Sequence, residues 1–419
     1  MMKRGGPLAL TVIFTTILID FMGYLILVPV LPEYLESLNA DRTDQGLAIG
    51  LYMFALVLAL PIWGWVTDRV GRRPVLVTCL VGTSLSFALM ANATSLQMFF
   101  VARVLQGVFG ASVGTAQAYI SDVTSGEGRA RGFGLIGAAG SLGLLGGPLV
   151  GGLLYEVDPA LVFQAPSVLA LAAAAGAFFF LEESRSADYG SATWKDLLRS
   201  AVPAPLLIIF GVHRPRILLY LYLFFHFFVA FGAVEAMFPN YARERFGWEP
   251  REVGLFLSGI AIVMAVTQVR IGSLISWIGE FPLLLGGLAL AGTALVAMRD
   301  VSSAWMLYGA GLGLAVGFGV VVPTFTTLFA NACETVPDSG AYHAHSQAML
   351  NLGRGTGSVL GGLVAQSLSY QTPFFLAGLT VLASIGLVVV GLPLLRAPKP
   401  ATGARPASGE SSSKAARIP

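Results

Sequence analysis

The sequence predicts an all-α polytopic membrane protein of twelve transmembrane helices in two six-helix halves. Three observations carry that prediction. Charged residues make up 11% of the 419 and hydrophobic residues 55%, with a mean hydropathy of +0.76; a soluble chain would carry roughly 25% charged residues. Apolar runs of about 20 residues recur along the chain, each long enough to cross a hydrocarbon core of about 30 Å. In lipid every backbone polar group must be satisfied within its own segment, so runs of this length are helices. Finally, one long polar interruption separates six such runs from six more.

Span 1 is expected at 8–31. It is too long for the apolar core of a signal peptide and no small-residue cleavage site follows it, so it is expected to be retained. Spans 2 to 6 follow at 46–66, 75–93, 97–120, 133–154 and 160–181, closing an N-terminal half over 1–182. A linker at 183–216 contains the apolar stretch 201–210, too short to span. Spans 7 to 12 fall at 217–239, 252–276, 281–298, 303–328, 343–367 and 373–395, giving a C-terminal half over 217–396. The tail, 397–419, is rich in Pro, Ser and Ala without an apolar face and is expected to be disordered.

Between spans 2 and 3 four charges, Asp68, Arg69, Arg72 and Arg73, stand within six positions, bracketed by Gly64 and Gly71. Lys/Arg-rich loops lie on the cytoplasmic side. Placing this loop and both termini there puts seventeen basic residues inside and five outside. The cell (inner) membrane is the expected location.

The halves repeat weakly. Gly64…Gly71 returns as Gly272…Gly279, Pro32-Glu33-Tyr34 as Pro239-Asn240-Tyr241, and Gly151-Gly152 as Gly361-Gly362, at shifts of 207 to 210. A parallel repeat of six-span halves is a transporter architecture whose site lies near the midplane between them. The second copy of the loop has lost its charges: Ser276 and Trp277 stand where Asp68 and Arg69 would. The glycine spacing therefore serves the turn, while the charges serve one half.

Ionisable groups at membrane depth are costly, which makes each a functional candidate. Asp20 lies about 18 Å along span 1, near mid-membrane, where an acid can couple to protons or bind a cation, or pair with an arginine such as Arg103. His226 falls near the middle of span 7, and histidine is a residue type suited to proton transfer, so a proton relay and a buried, satisfied polar group are both open. Glu235, nine residues on, is placed on the opposite face of the same helix and is a candidate substrate or proton site. Arg354 interrupts span 11 in Asn351-Leu352-Gly353-Arg354-Gly355, to balance Asp20 or Glu235 or to bind an anionic group. Arg270, near the inner end of span 8, can snorkel to the interface. Gly143, Gly147 and Gly151 recur at spacing four with Gly152 and Pro148 beside them, a stripe suited to close helix packing and to a hinge or seal between the halves. Phe21, Tyr24, Gln117, Tyr119, Tyr222 and Met237 are candidates for cavity lining, with core placement the competing expectation for each aromatic.

Gly64 to Leu76, Arg103-Val104-Leu105-Gln106-Gly107 in span 4 and Gly143 to Gly152 in span 5 together resemble the major facilitator superfamily, and within it the twelve-span drug:proton antiporters. Ile19-Asp20-Phe21-Met22-Gly23 is similar to the opening of tetracycline exporters. That resemblance implies the major facilitator fold and proton-driven export of small amphipathic or cationic compounds by a monomer that needs no cofactor. It implies a proton pathway through Arg103, an antiporter motif in span 5, and a cytoplasmic latch in which Asp68 meets the N-terminal end of span 11. The chain departs from tetracycline exporters where they carry an acid within span 3, reading Ser84-Leu85-Ser86-Phe87 instead, and within span 9. Carriage of an anionic or lipid-like solute is the alternative, motivated by Arg354 and Arg103. A non-transporting receptor on the same fold is a third. No HExxH or GxSxG pattern points to an enzyme. Two cysteines, far apart, supply neither a disulfide framework nor a metal set, and a net charge of +2 gives no reason to expect nucleic acid.

Overall fold

A computed structural model of the chain describes residues 7–184, 214–333 and 339–395. Most of the expected linker and all of the expected tail lie outside the described residues. Every described element is helical: α1 (Pro7–Leu25, span 1), α2 (Leu31–Ser37), α3 (Arg42–Val70, span 2), α4 (Arg72–Ala91, span 3), α5 (Leu96–Val108) and α6 (Ser112–Val123), which share span 4, α7 (Glu127–Val157, span 5) and α8 (Leu161–Phe180, span 6). The second half runs α9 (Pro215–Phe246, span 7), α10 (Pro250–Val269, span 8), α11 (Ile271–Ile278), α12 (Glu280–Ala297, span 9), α13 (Ala304–Cys333, span 10), α14 (Ser339–Ser367, span 11) and α15 (Thr372–Leu395, span 12). Eleven spans are apolar enough to cross a membrane by composition alone. Span 11 is the exception, diluted by Gln347, Asn351, Arg354, Thr356 and Ser358.

Several boundaries depart from expectation: span 7 runs on to Phe246 rather than 239, span 8 ends at Val269 rather than 276, and three others bear on the site. Span 1 stops at Leu25 rather than continuing to 31, because Pro29 and Pro32 lack amide donors and disfavour helix before them; the chain crosses 26–30 in tight turns and restarts as α2. Span 4 breaks at 109–111, between Gly107 and Ser112, and the Phe109 ring packs where a side chain at Gly82 would stand. Span 5 begins at Glu127, one and a half turns before the expected 133.

The repeat extends to atomic detail. Tyr34 donates its hydroxyl to the Met90 carbonyl at 2.6 Å, and Tyr241, 207 residues later, donates to the Met298 carbonyl at 2.7 Å. Each tyrosine also packs on a phenylalanine, Phe163 at 4.4 Å and Phe374 at 4.9 Å between centroids. Gly71 and Gly279 share a left-handed φ (+107° and +90°) at the turn between two helices, a conformation glycine adopts without strain. The glycine stripe of span 5 also returns in full. Gly143, Gly147 and Gly151 lie against the backbone of span 1 and its following turn, while Gly353, Gly357 and Gly361 lie against span 7.

The halves join along two seams, each made of close backbone contacts. Span 2 meets span 11, with Gly46 against Ser358 and Gly362 against Arg42 and Thr43. Span 5 meets span 8, with Gly152 against Pro250 and Gly254 against Pro148, while Ser258 donates to the Leu145 carbonyl at 2.7 Å. All of these residues lie toward the end of the bundle opposite the Gly64–Leu76 loop. That end is called the far end below, and the other the motif end. Small residues permit such approach where hydrophobic driving force between helices is lacking.

Candidate functional site: a charge cluster where the halves meet

At the inner edge of the seam between spans 2 and 11, Arg354 of span 11 meets Glu235 of span 7, both in the C-terminal half. Arg354 Nη2 donates to Glu235 Oε1 at 2.5 Å and Nε donates to Oε2 at 3.1 Å, a bidentate pair between nearly buried side chains. Of the two partners open to Arg354 in the sequence, Glu235 is the one the fold supplies. Tyr24 joins them from the other half, accepting from Arg354 Nη2 at 3.2 Å and donating to Glu235 Oε1 at 3.1 Å. The guanidinium also sits over the rings of Tyr24 and Phe231, at 5.0 and 5.3 Å. These two rings are repeat counterparts, 207 residues apart, so equivalent positions of spans 1 and 7 flank one charge that has no counterpart of its own: Leu144 occupies its position in span 5.

From Tyr24 the cluster continues into the N-terminal half. Its ring stacks on Tyr52 of span 2, with centroids 5.0 Å apart, and the Arg103 guanidinium of span 4 sits over the Tyr52 ring at 4.9 Å. Arg103 is buried and donates to the Ala48 carbonyl at 2.9 Å and to Gln106 Oε1 at 2.6 Å. It therefore anchors span 2 to span 4 rather than pairing with Asp20. Asp20, one helical turn before Tyr24, accepts a hydrogen bond from Ser112, the first residue after the break in span 4. It is half-buried, and among the described residues no cation lies within ion-pair distance of it.

The remaining candidates separate. His226 pairs with the Thr380 carbonyl of span 12 at 3.0 Å and stacks on the half-exposed Tyr222, away from Glu235 as the helical rotation predicts. Gln117 is exposed on span 4. Tyr119 and Met237 are both buried in apolar cores, Tyr119 among spans 1, 3, 4, 5 and 6 and Met237 in the far-end core. Their apolar neighbours outweighed whatever polarity suggested exposure. Arg270 caps the end of span 8, at the motif end. In the span 5 motif, Gly143, Gly147 and Gly151 serve packing within the half, and Gly152 with Pro148 forms the seam with span 8.

At the motif end the charged loop is clamped from two directions. Arg72 pairs with Asp68 at 2.8 Å and with Asp122, from the end of span 4, at 3.0 Å. Glu183, just after span 6, accepts from the amides of Arg72 and Arg73 at the start of span 3, where the helix dipole favours an anion. Arg69 lies over Trp65 and Arg73 over Phe178. Asp122, Glu183 and Ser112 were not singled out from the sequence; an acid or hydroxyl at a span end was the only available signal. The residues just before span 11, 334–338, lie outside the described residues, so the expected partner of Asp68 there is not seen. If Asp68 latches the alternative conformation, Asp68→Asn will change the melting temperature little, since the carboxylate is largely exposed and such pairs contribute about 0–1 kcal/mol. It will shift the population toward the far-end-closed form, measured by spin-label distances. Unchanged distances and transport rate would end the latch hypothesis.

Comparison with known proteins agrees with this architecture. The family model described as Major Facilitator Superfamily matches residues 13–337. The class G tetracycline resistance protein of Vibrio anguillarum is 30% identical over 385 residues, covering 91% of this chain and 95% of its own. Multidrug resistance protein 2 of Bacillus subtilis (strain 168) is 26% identical over 395 residues, covering 90% and 94%. Among solved structures, the human organic anion transporter MFSD10 (TETRAN) superposes with a TM-score of 0.69 at 22% identity over 90% of this chain and 98% of its own, a likeness of fold. With twelve spans in repeated halves among the described residues and a family match over most of its length, the chain belongs to the Major Facilitator Superfamily, a family of membrane transporters and not of enzymes.

Proposed function

We propose that the protein is a proton-coupled exporter of small amphipathic or cationic compounds, working by alternating access in the cell (inner) membrane as a monomer with both termini cytoplasmic. The observation that carries this reading is Asp20: a half-buried carboxylate at mid-membrane, held by a hydroxyl and without a basic partner among the described residues. An acid so placed can accept either a proton or a cationic substrate, and that competition is what antiport requires. Phe21, Tyr24 and Tyr52 give the neighbourhood aromatic faces suited to organic cations. Seams confined to the far end fit a carrier whose cavity opens toward the motif end, which the basic loop assigns to the cytoplasm. The two half-bundles then rock about the midplane cluster. Relatives named for resistance to tetracycline and to multiple drugs support export as the direction. Carriage of an anionic solute is less well supported, because Arg354 is already neutralised by Glu235 and Arg103 is committed to backbone and Gln106.

The test is transport in proteoliposomes under an imposed pH gradient, with a panel of fluorescent organic cations. Wild type should accumulate at least one of them against its gradient. Asp20→Asn should lose gradient-driven accumulation by tenfold or more, on the order of 1.4 kcal/mol or greater in driving interaction, while retaining downhill exchange. Full gradient-driven transport by Asp20→Asn would remove the residue from coupling.

A further inference from the structure

At the far end, three arginines and four glutamates face one another across the two halves. Arg42 at the start of span 2 pairs with Glu244 of span 7 at 3.2 Å. Arg251 at the start of span 8 pairs with Glu156 of span 5 at 3.4 Å. Arg243 of span 7 pairs with Glu36 of α2 at 2.7 Å. These are three one-to-one pairs, and each joins one half to the other. Glu33, one helical turn before Glu36, is left over: it reaches Arg243 only at 3.7 Å, behind the shorter bond to Glu36.

Glu33 nevertheless lies inside the closed interface. Its Oε2 is buried and has no hydrogen-bond partner among the described residues. The side chain lines a cavity of about 580 Å³ with Tyr155, Glu156, Arg243, Trp248 and Glu249. The titratable and charged groups around it are Glu36 on its own helix, Tyr155 and Glu156 on span 5, Arg243 on span 7, and Glu249 and Arg251 at the entry to span 8. Arg243, the one cation within reach of Glu33, is already matched at shorter range by Glu36, so an ionised Glu33 adds a second carboxylate charge on that arginine and an unsatisfied acceptor to a largely desolvated seam. A proton on that carboxyl removes both penalties.

We propose that Glu33 is a proton-binding site of the far-end gate, occupied when the gate is shut and emptied when it opens. The proton enters and leaves from the same side of the membrane, so it is not carried across, and this site is separate from the coupling acid proposed at Asp20. What it does is make closure depend on the pH of the far compartment. Burial holds the Glu33 carboxyl well above the usual carboxylate range, at about 7 in the closed form. In the open form, exposed to water, it returns toward the ordinary value near 4.5. A group whose pKa is higher in the closed form stabilises that form as pH falls through the raised value, and the effect is complete below the ordinary one. The closed-to-open ratio should therefore rise about tenfold between pH 8 and pH 6.

The experiment uses the full chain in lipid nanodiscs without substrate, with spin labels introduced at Ser37 and Ser302 on opposite halves of the far end. Distance distributions are recorded from pH 8 to pH 5. Wild type should show the tenfold rise in the closed population, and Glu33→Gln should remain closed across the range. Glu36→Gln provides an independent arm: it leaves Arg243 to Glu33 alone, so the midpoint should move to lower pH. A flat wild-type profile, or the wild-type pH dependence persisting in Glu33→Gln, overturns the proposal, as does an unmoved midpoint in Glu36→Gln. None of these readings depends on transport, so failure here is distinct from failure of the antiport reading.

Discussion

Arg354→Ala is expected to destabilise the protein by roughly 3–5 kcal/mol, the usual consequence of stranding one member of a buried ion pair. The variant leaves Glu235, whose side chain is 7% exposed, with the Tyr24 hydroxyl as its remaining hydrogen-bond partner among the described residues. Glu235→Gln should cost a comparable amount by stranding the guanidinium, although two rings and Tyr24 still cover it. The double variant Arg354→Gln/Glu235→Gln should recover most of the loss, because neither charge then remains to be solvated. A double-mutant cycle on melting in detergent measures the coupling directly. Additive losses would mean that the two groups act independently. The cluster also joins Tyr24 of one half to both residues of the other, so the double variant, though stable, should transport poorly: its charges are the link that passes a change at span 1 to spans 7 and 11.

That link marks where sequence reasoning stopped. The spans, the glycine-bracketed turn and the duplication were legible because each is written locally, in hydrophobic run length and in the spacing of small residues. Arg354 and Glu235 were legible as oddities, since a charge within an apolar run stands out. Their partnership was not, because 119 residues separate them and helix register at the seam decides which of two acids the arginine reaches. Tyr24 was one aromatic among many, distinguished only once the fold set it beside both charges. Ser112 and the break before it were hidden for a related reason: the break follows from Phe109 filling the space above Gly82 in another span. The glycine stripe of span 11, Gly353, Gly357 and Gly361, is written in the sequence at the same spacing as that of span 5. The duplicated scaffold is therefore symmetric where it packs and asymmetric where it carries charge: Asp20 and Arg354 face Phe227 and Leu144 at the counterpart positions.

Adjacent glycines in span 5 should separate packing from motion. A methyl at Gly151 would meet the Ile26 backbone, in the turn that follows span 1 of the same half. That contact belongs to the half itself and is carried through every stage of a rigid-body cycle. Gly151→Ala should therefore lower the melting temperature, with a cost of about 1–3 kcal/mol, typical of overpacking against fixed backbone, and leave the balance of conformations nearly unchanged. A methyl at Gly152 would stand 2.5 Å from the Pro250 carbonyl oxygen and 2.8 Å from the Arg251 Cα, both in the opposite half. Under the alternating-access reading proposed above, those atoms are neighbours only while the far end is shut. Gly152→Ala should penalise that one state: a differential cost of about 1.4 kcal/mol shifts the population tenfold toward far-end opening, and transport falls because the return step is disfavoured. Melting and spin-label distances at the far end, measured on both variants, read the two effects separately. If the two substitutions produced the same pattern, the seam between spans 5 and 8 would be ordinary packing rather than a contact that forms and breaks in each cycle.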